Sequence, residues 1–523
     1  MEYVMKRRVY LLLTLTVVVL LVAGLAAAGT IKSAGVNGVW TDQATWVGGV
    51  VPGPADIAVI ADRDTVTYNA ADATVAGLQV GEGASGILQF SKSDSTKLRV
   101  NGNILVSTGA TFKVQSNTIL GNLVHRIYLT GDLTNNGAAF DMRSGSTNST
   151  LSVAQYIFTG STNSTVSTSS TYSSSANEFN GWTIDKSGSG KVILATNVYI
   201  ASGSTSALAA QVWFEFKRGK VETGNNTLVH LSTTSATVFG ASDSSYVIGA
   251  MARGASSSTS NKDYPIGDAN GYRPVRVRTV TGNASTGHYI TARCIPGNAS
   301  IGASGTFSGG IDKVSAVRYY QVNYFKGTTS TATLKAAFYT LSYGLNDGVA
   351  AGNTSLRVAH STDNRASWIG NGPTAPPTTA LDSLPRLIVA DSLATALDLT
   401  DGGAAVYLAL ARATGTTQNS LEGPGTAVEP IAGELPSRFS VSQNYPNPFN
   451  PSTMIEYSLP QEQPVTVKVF SLLGQEVATL VSTVQPAGTY RVTFDASSLT
   501  SGMYVYQVRA GALMESRRMM LVK

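Results

Sequence analysis

The sequence predicts an all-β protein. It divides into an N-terminal β-helix or solenoid-like region, a middle antiparallel β-sandwich and a small C-terminal Ig-like β-sandwich. Three observations carry this expectation. Short apolar-polar segments recur along the chain, punctuated by Gly, Asn, Asp or Ser. Charged residues are only 13% while hydrophobic residues are 43%, a balance that suits β structure with polar, uncharged faces rather than a disordered tail. The last stretch of chain alternates apolar and polar at period two almost without interruption. At 523 residues the chain has room for roughly three or four domains.

Taken in order, residues 1–28 read as an export signal. Lys6, Arg7 and Arg8 precede the apolar run Val9 to Leu25, and Ala26, Ala27 and Ala28 supply small residues for cleavage before Gly29. Residues 29–205 form the β-helix-like region. In KLRVNGNILVSTGATFKV, Leu98, Val100, Ile104 and Val106 alternate with polar residues across Gly-Asn turns, the rhythm of stacked rungs. The same rhythm returns in WTIDKSGSGKVILATNVYIASG. Trp40 and Trp46, ahead of a Pro-Gly-Pro turn, are expected to cap the first rung, where no earlier rung covers the core. Residues 206–413 have longer strands richer in Tyr and Phe, such as VRYYQVNYF and VYLALARA, and are assigned to the antiparallel sandwich. Residues 414–438 carry Gly, Pro, Glu and small residues with little periodicity and read as an extended linker.

The segment NYPNPFNPST, Asn444 to Thr453, places three prolines within six positions. Neither a helix interior nor a central strand accepts that. The prolines are expected to hold the entering chain extended and to stop the linker from pairing with the sheet that follows. Beyond them, MIEYSLP, PVTVKVFSLLG, QEVATLV, GTYRVTFDA, MYVYQVRAG and LMESRRMMLVK alternate at period two, giving a compact sandwich over 439–523.

These residues resemble a known family. Asn444, Tyr445, Pro446, Asn447, Pro448, Phe449, Asn450 and Pro451, with Gly474, Gly488, Tyr490, Gly502, Tyr504 and Lys523, look like the type A C-terminal sorting domain. That domain marks cargo of the type IX (Por) secretion system of Bacteroidetes and related phyla. Arg517-Arg518 departs mildly from the family's usual residues before the last strand and keeps the positive charge. The resemblance implies a type IX secretion translocon as partner, and export to the medium or the outer-membrane cell surface. It also implies removal of the sorting domain, with release of the cargo or its attachment to surface lipopolysaccharide. The Trp40–Trp46 entry is similar to G8-type and other β-helical surface domains.

The remaining chemistry is sparse. Loss of residues 1–28 removes three positive charges and one negative, lowering the net charge from +5 to +3. With no basic cluster interleaved with aromatics, nucleic acid is not an expected partner. One cysteine, Cys294, cannot make an internal disulfide. His125, His230, His288 and His360 have no carboxylate or cysteine at metal-ligand spacing, so no metal site, cofactor or catalytic set is assigned. Asp56, Asp62 and Asp64, and Asp132 and Asp141 with Arg143, are the carboxylates open to a polysaccharide-cleaving role, but turn chemistry is the preferred reading for them. Trp182 and Trp213 are candidate glycan-stacking rings. The expectation is a secreted or cell-surface, non-enzymatic protein with an adhesive or structural role. The alternative is a polysaccharide-binding or polysaccharide-degrading protein, with extracellular glycans as partner.

Overall fold

A computed structural model describes residues 29–522, apart from 117–121, 145–150, 170–178, 201–212, 232–237, 256–259, 270, 283–287, 301–305, 326–333, 344–346, 348, 350–354, 372–385, 390–396, 400–404, 417–420, 422–428, 432–435 and 497–498. The expected export signal and Lys523 lie outside the described residues. The chain forms two units: Met1–Ile295 with Tyr320–Thr340 and Ser392–Val406, and Pro296–Tyr319 with Leu341–Asp391 and Tyr407–Lys523. Strands dominate both, and the described residues of the solenoid include one short 3-10 turn, Gln43–Thr45.

The first unit is built on a β-solenoid of about six turns. Its rungs have up to three sides, and each side is a parallel, in-register ladder. One runs through Ile57–Ile60, Gly77–Val80, Ile104–Val106, Leu133–Asn135, Ser164–Thr168, Lys191–Leu194 and Lys220–His230. A second runs through Thr65–Tyr68, Ile87–Phe90, Thr111–Lys113 and Ala139–Asp141. The third runs through Asp72–Val75, Lys97–Val100, Leu123–Leu129, Ser152–Phe158, Gly181–Asp185 and Phe214–Arg218. Alternate residues of these strands point inward and are buried, as period two requires.

Parallel stacking sets identical inward positions above one another, so like side chains meet. Tyr68, Phe90, Phe112 and Phe140 form a column with centroid spacings of 5.5, 5.7 and 6.0 Å. Each such pair adds about 0.5–1.5 kcal/mol beyond its area burial. Trp40 closes the column, 5.0 Å from Tyr68 and edge-on to Trp46 at 4.9 Å, and the Trp46 indole donates to the Trp40 carbonyl at 2.8 Å. Both rings are buried, in keeping with the expected cap.

At the corners, where strands end, backbone N–H groups need other acceptors. Side chains of the preceding rung supply them. Asn103 Oδ1 accepts from Asp132 N at 2.8 Å, and Asp132 Oδ1 accepts from Thr165 N at 2.7 Å. Asn163 Oδ1 accepts from Lys191 N at 3.1 Å, and Asn197 Oδ1 accepts from Thr227 N at 2.8 Å. Gly81 turns a corner with φ +76°, where an added Cβ would fall 2.1 Å from the Ser85 carbonyl oxygen.

The expected boundary at 205/206 falls within this stack. Gly181–Asp185 pairs in parallel with Phe214–Arg218, and Lys220–His230 pairs in parallel with Val247–Gly254. Beyond it antiparallel pairing takes over, as where Tyr289–Pro296 joins Val247–Gly254. Period-two alternation is the same in parallel and antiparallel strands, so the changeover has no local signature. Further antiparallel pairs follow in each unit: Ser260–Tyr264 with Val275–Gly282 in the first, and Leu356–Ser361 with Val406–Ala413 in the second. The second unit also buries a bidentate pair between Arg318 and Asp347.

The chain's last part is a sandwich of two four-stranded sheets. One orders as Glu429–Ile431, Gly488–Asp495, Ser452–Leu459 and Ser440–Val441; the other as Glu476–Gln485, Gln463–Ser471, Gly502–Ala510 and Leu513–Leu521. Ile455, Tyr457, Val465, Val467, Val492, Phe494, Tyr506 and Val508 fill the core. Here one expectation is corrected. The prolines do not keep the linker off the sheet, because Glu429–Ile431 pairs with Gly488–Asp495.

Candidate functional site

The proline-rich segment is a clip on the C-terminal sandwich. Gln443 Nε2 donates to the Arg518 carbonyl at 2.7 Å. Asn447 Oδ1 accepts from Met520 N at 2.9 Å, Phe449 N donates to the Met520 carbonyl at 2.9 Å, and Val522 N donates to the Phe449 carbonyl at 3.0 Å. These bonds occupy the outer edge of strand Leu513–Leu521, which would otherwise offer unpaired backbone to any passing strand. Proline fits such a segment because it brings no N–H of its own to satisfy. The Tyr445–Pro446 and Asn447–Pro448 bonds are cis. Phe449 anchors the clip, buried and 6.1 Å from Phe494.

Asn444 organises the entrance. Its Nδ2 donates to the Pro446 carbonyl at 3.1 Å and to Thr453 Oγ1 at 2.9 Å, while Thr453 Oγ1 donates to the Pro446 carbonyl at 2.7 Å. Its backbone N donates to the Tyr506 hydroxyl at 2.9 Å, and that hydroxyl donates to the Ser442 carbonyl at 2.7 Å. Burial pushes the Tyr506 phenol up to about 12, so it stays a neutral donor and acceptor. Two more tyrosines pin neighbouring turns: Tyr490 donates to the Pro486 carbonyl and Tyr504 to the Thr500 carbonyl, each at 2.8 Å. Gly474 takes φ +79° in the Ser471–Gln475 hairpin. Gly488 and Gly502 start strands Gly488–Asp495 and Gly502–Ala510. Pro451 accepts from Ala496 N at 2.9 Å, and Asn450 is exposed at the surface. Outward from this frame point Tyr445, 75% exposed, and Leu473, 96% exposed.

The other candidate residues serve the fold. Trp182 is fully buried among Phe158, Phe179 and Phe214. With no open ring face it cannot stack on a sugar, and that assignment is corrected. Trp213 is half-buried, and its carbonyl accepts from Trp182 N at 3.0 Å.

The carboxylates cap turns. Asp56 Oδ2 accepts from Gly53 N at 2.9 Å. Asp62 accepts from Glu82 N at 2.8 Å and Ser85 N at 3.0 Å, bonds that hold its carboxyl below the usual range. Burial raises the carboxyl of Asp64, but Ser33 and the N–H groups of Asn37, Gly35 and Thr65 outweigh it and hold it low. His125 lies in the core, its Nδ1 2.8 Å from Thr96 Oγ1 and its Nε2 3.3 Å from Ser152 Oγ, stacked on Phe90. Burial lowers it to about 4.

Sequence reasoning missed the outward face of the solenoid's third side. Arg99 pairs with Asp72 at 2.9 and 3.0 Å and lies 4.2 Å over the Tyr128 ring. Farther along, the same side is covered: Gln155 and Thr183 are buried, with Gln155 Nε2 donating to Thr183 Oγ1 at 2.9 Å and that hydroxyl donating to Glu215 Oε2 at 3.1 Å. These residues are far apart in sequence, and only the rung register brings them into rows.

Compared with known proteins, residues 443–523 match the family model described as the secretion system C-terminal sorting domain. No curated protein and no solved structure matches the chain. The segment with the proline clip is thus a type IX sorting domain, and the protein it labels crosses the outer membrane to be secreted or held at the cell surface.

Proposed function

We propose that the exported protein is a non-enzymatic display scaffold with an adhesive or structural role. The observation that carries this reading is the outward face of the third solenoid side. Its polar side chains are bonded to one another from rung to rung, from Asp72 through Arg99 to Tyr128. Side chains already held in place lose little freedom on contact. A repeated row of them gains by multivalency, since many weak contacts act together. Surface lipopolysaccharide and extracellular glycans are the partners this face suits, and lipopolysaccharide is also where the sorting route would leave the protein.

The alternative is a polysaccharide-binding or polysaccharide-degrading protein. Tyr128 beneath Arg99, and the half-buried Trp213, favour its binding form. One experiment separates display from degradation. The full secreted chain is screened on a glycan array and incubated with each bound polysaccharide. Retention without product release, weakened by Arg99→Ala and Tyr128→Ala, supports display. Release of shortened chains sinks it.

A further inference from the structure

The open part of the solenoid's third side is basic. Strands Asp72–Val75, Lys97–Val100 and Leu123–Leu129 lie in parallel register. Lys97 stands between Asp72 and Arg126, and Arg99 between Thr74 and Tyr128. Alternation turns Leu98, Val100, Ile127 and Leu129 into the core. It leaves Lys97, Arg99, Arg126 and Tyr128 half-buried on the outer surface. Three cations therefore share this face with one carboxylate, Asp72, which Arg99 already holds at 2.9 and 3.0 Å. Among the described residues no ion pair engages Lys97 or Arg126. The segments leading into these strands do not redress the balance: 91–96 carries Lys92 with Asp94, and 114–122 carries no charge. The row through Lys97 and Arg126 ends at Gln155, which is buried.

Charges this exposed contribute little to stability, so their effect lies in what the face attracts. A surplus of one sign raises the local concentration of the other. Arg99 is also held in place, forked onto Asp72 and 4.2 Å over the Tyr128 ring. Two of its five N–H donors serve Asp72, which leaves others for a ligand. The cations are spread over neighbouring strands about 4.8 Å apart on a sheet face, an arrangement that suits a polymer charged at successive units. A nucleic-acid strand would ask for open aromatic faces on which bases stack, and Arg99 already covers one face of Tyr128. Export places this surface outside the cell. We propose that Lys97, Arg99 and Arg126, with Tyr128, bind an extracellular acidic polysaccharide, pairing with its carboxylate or sulfate groups across adjacent rungs. This rests on the third side being the contact face of a display scaffold, and it names the class of glycan displayed to.

The test measures binding of the full secreted chain to immobilised polygalacturonate and chondroitin sulfate. Dextran, lipopolysaccharide vesicles and a single-stranded DNA oligomer run alongside. The expected result is retention on an acid polymer and not on dextran, weakening as salt screens the exposed charges. Replacing both cations, Lys97→Gln with Arg126→Gln, should weaken that binding by about tenfold or more. The charge-keeping pair Lys97→Arg with Arg126→Lys should retain it. Lys32→Gln removes a cation paired with Glu82 on the first side and should change nothing. Thermal unfolding checks that each variant folds; should the double variant fail, Lys97→Gln alone should give a smaller loss of the same kind. No retention on either acid polymer, equal retention on dextran, tighter binding to the vesicles or the DNA, or indifference to the double substitution would each overturn the inference. Retention on neutral glycans through Arg99 and Tyr128 would overturn it and leave the display reading standing. Cleavage of the bound polymer would instead sink display and leave the charge-dependent binding in place.

Discussion

At His125 one imidazole joins three successive rungs, Thr96 below and Ser152 above. Its proton affinity is lower in the folded protein, about 4 against an ordinary 6.5. As the pH falls below the unfolded value, the unfolded chain takes up a proton and the folded one does not. Stability therefore drops between pH 6.5 and about 4, with a slope of up to about 1.4 kcal/mol per pH unit from this group. His230 adds to the same trend, since its proton affinity is lowered too. His125→Gln should flatten part of the slope in denaturant titrations across that range. Asp64 works with the opposite charge. Its depressed carboxyl adds stability at neutral pH that is lost as the pH falls below its ordinary 3.8. Asp64→Ala strands the N–H groups of Gly35 and Asn37. It should cost about 2 kcal/mol at pH 7, read as lost hydrogen-exchange protection in the first rung. A substitution that leaves that protection unchanged would show the caps to be dispensable.

Among the elements, the last strand shows what the clip contributes. Phe449→Ala removes a buried ring whose loss typically costs 3–5 kcal/mol and loosens the bonds to Met520 and Val522. The expected signature is faster amide exchange along Leu513–Leu521, with the solenoid strands unaffected. Exchange unchanged there would mean that the edge is held by other bonds. Gly81→Ala tests a corner in the same manner: the added methyl meets the Ser85 carbonyl and the Ala110 side chain. It should lower the thermal midpoint of the first unit by several degrees. Strand existence was legible in the sequence here, since Leu98, Val100, Ile104 and Val106 alternate inward as their spacing suggests. Pairing sense was not, because alternation does not distinguish a rung from a hairpin. The clip's partner was equally hidden: Asn447 and Met520 meet across more than seventy residues, with no local cue. Trp182 misled for a related reason. Strand Gly181–Asp185 is covered on both faces, so its alternation says nothing about which ring faces water.

For the whole molecule, address and cargo are separable claims. Deleting 443–523 should leave the chain in the periplasm, as cell fractionation with an antibody to the solenoid would reveal; surface display of the truncated protein would remove the domain's role in export. The NYPNPFNPST motif was enough to read this destination, whereas the displayed rows emerge only once the rungs are stacked. The corner bonds from Asn103, Asp132, Asn163 and Asn197 carry a consequence for change over generations. Each reaches only the next rung, so these corners are specified by immediate neighbours. Duplicating or deleting a rung alters the reach of the displayed face in steps of about 4.8 Å, the spacing between strands. The tryptophan lid at one end and the export address at the other stay as they were, which makes length the easiest property of this protein to tune.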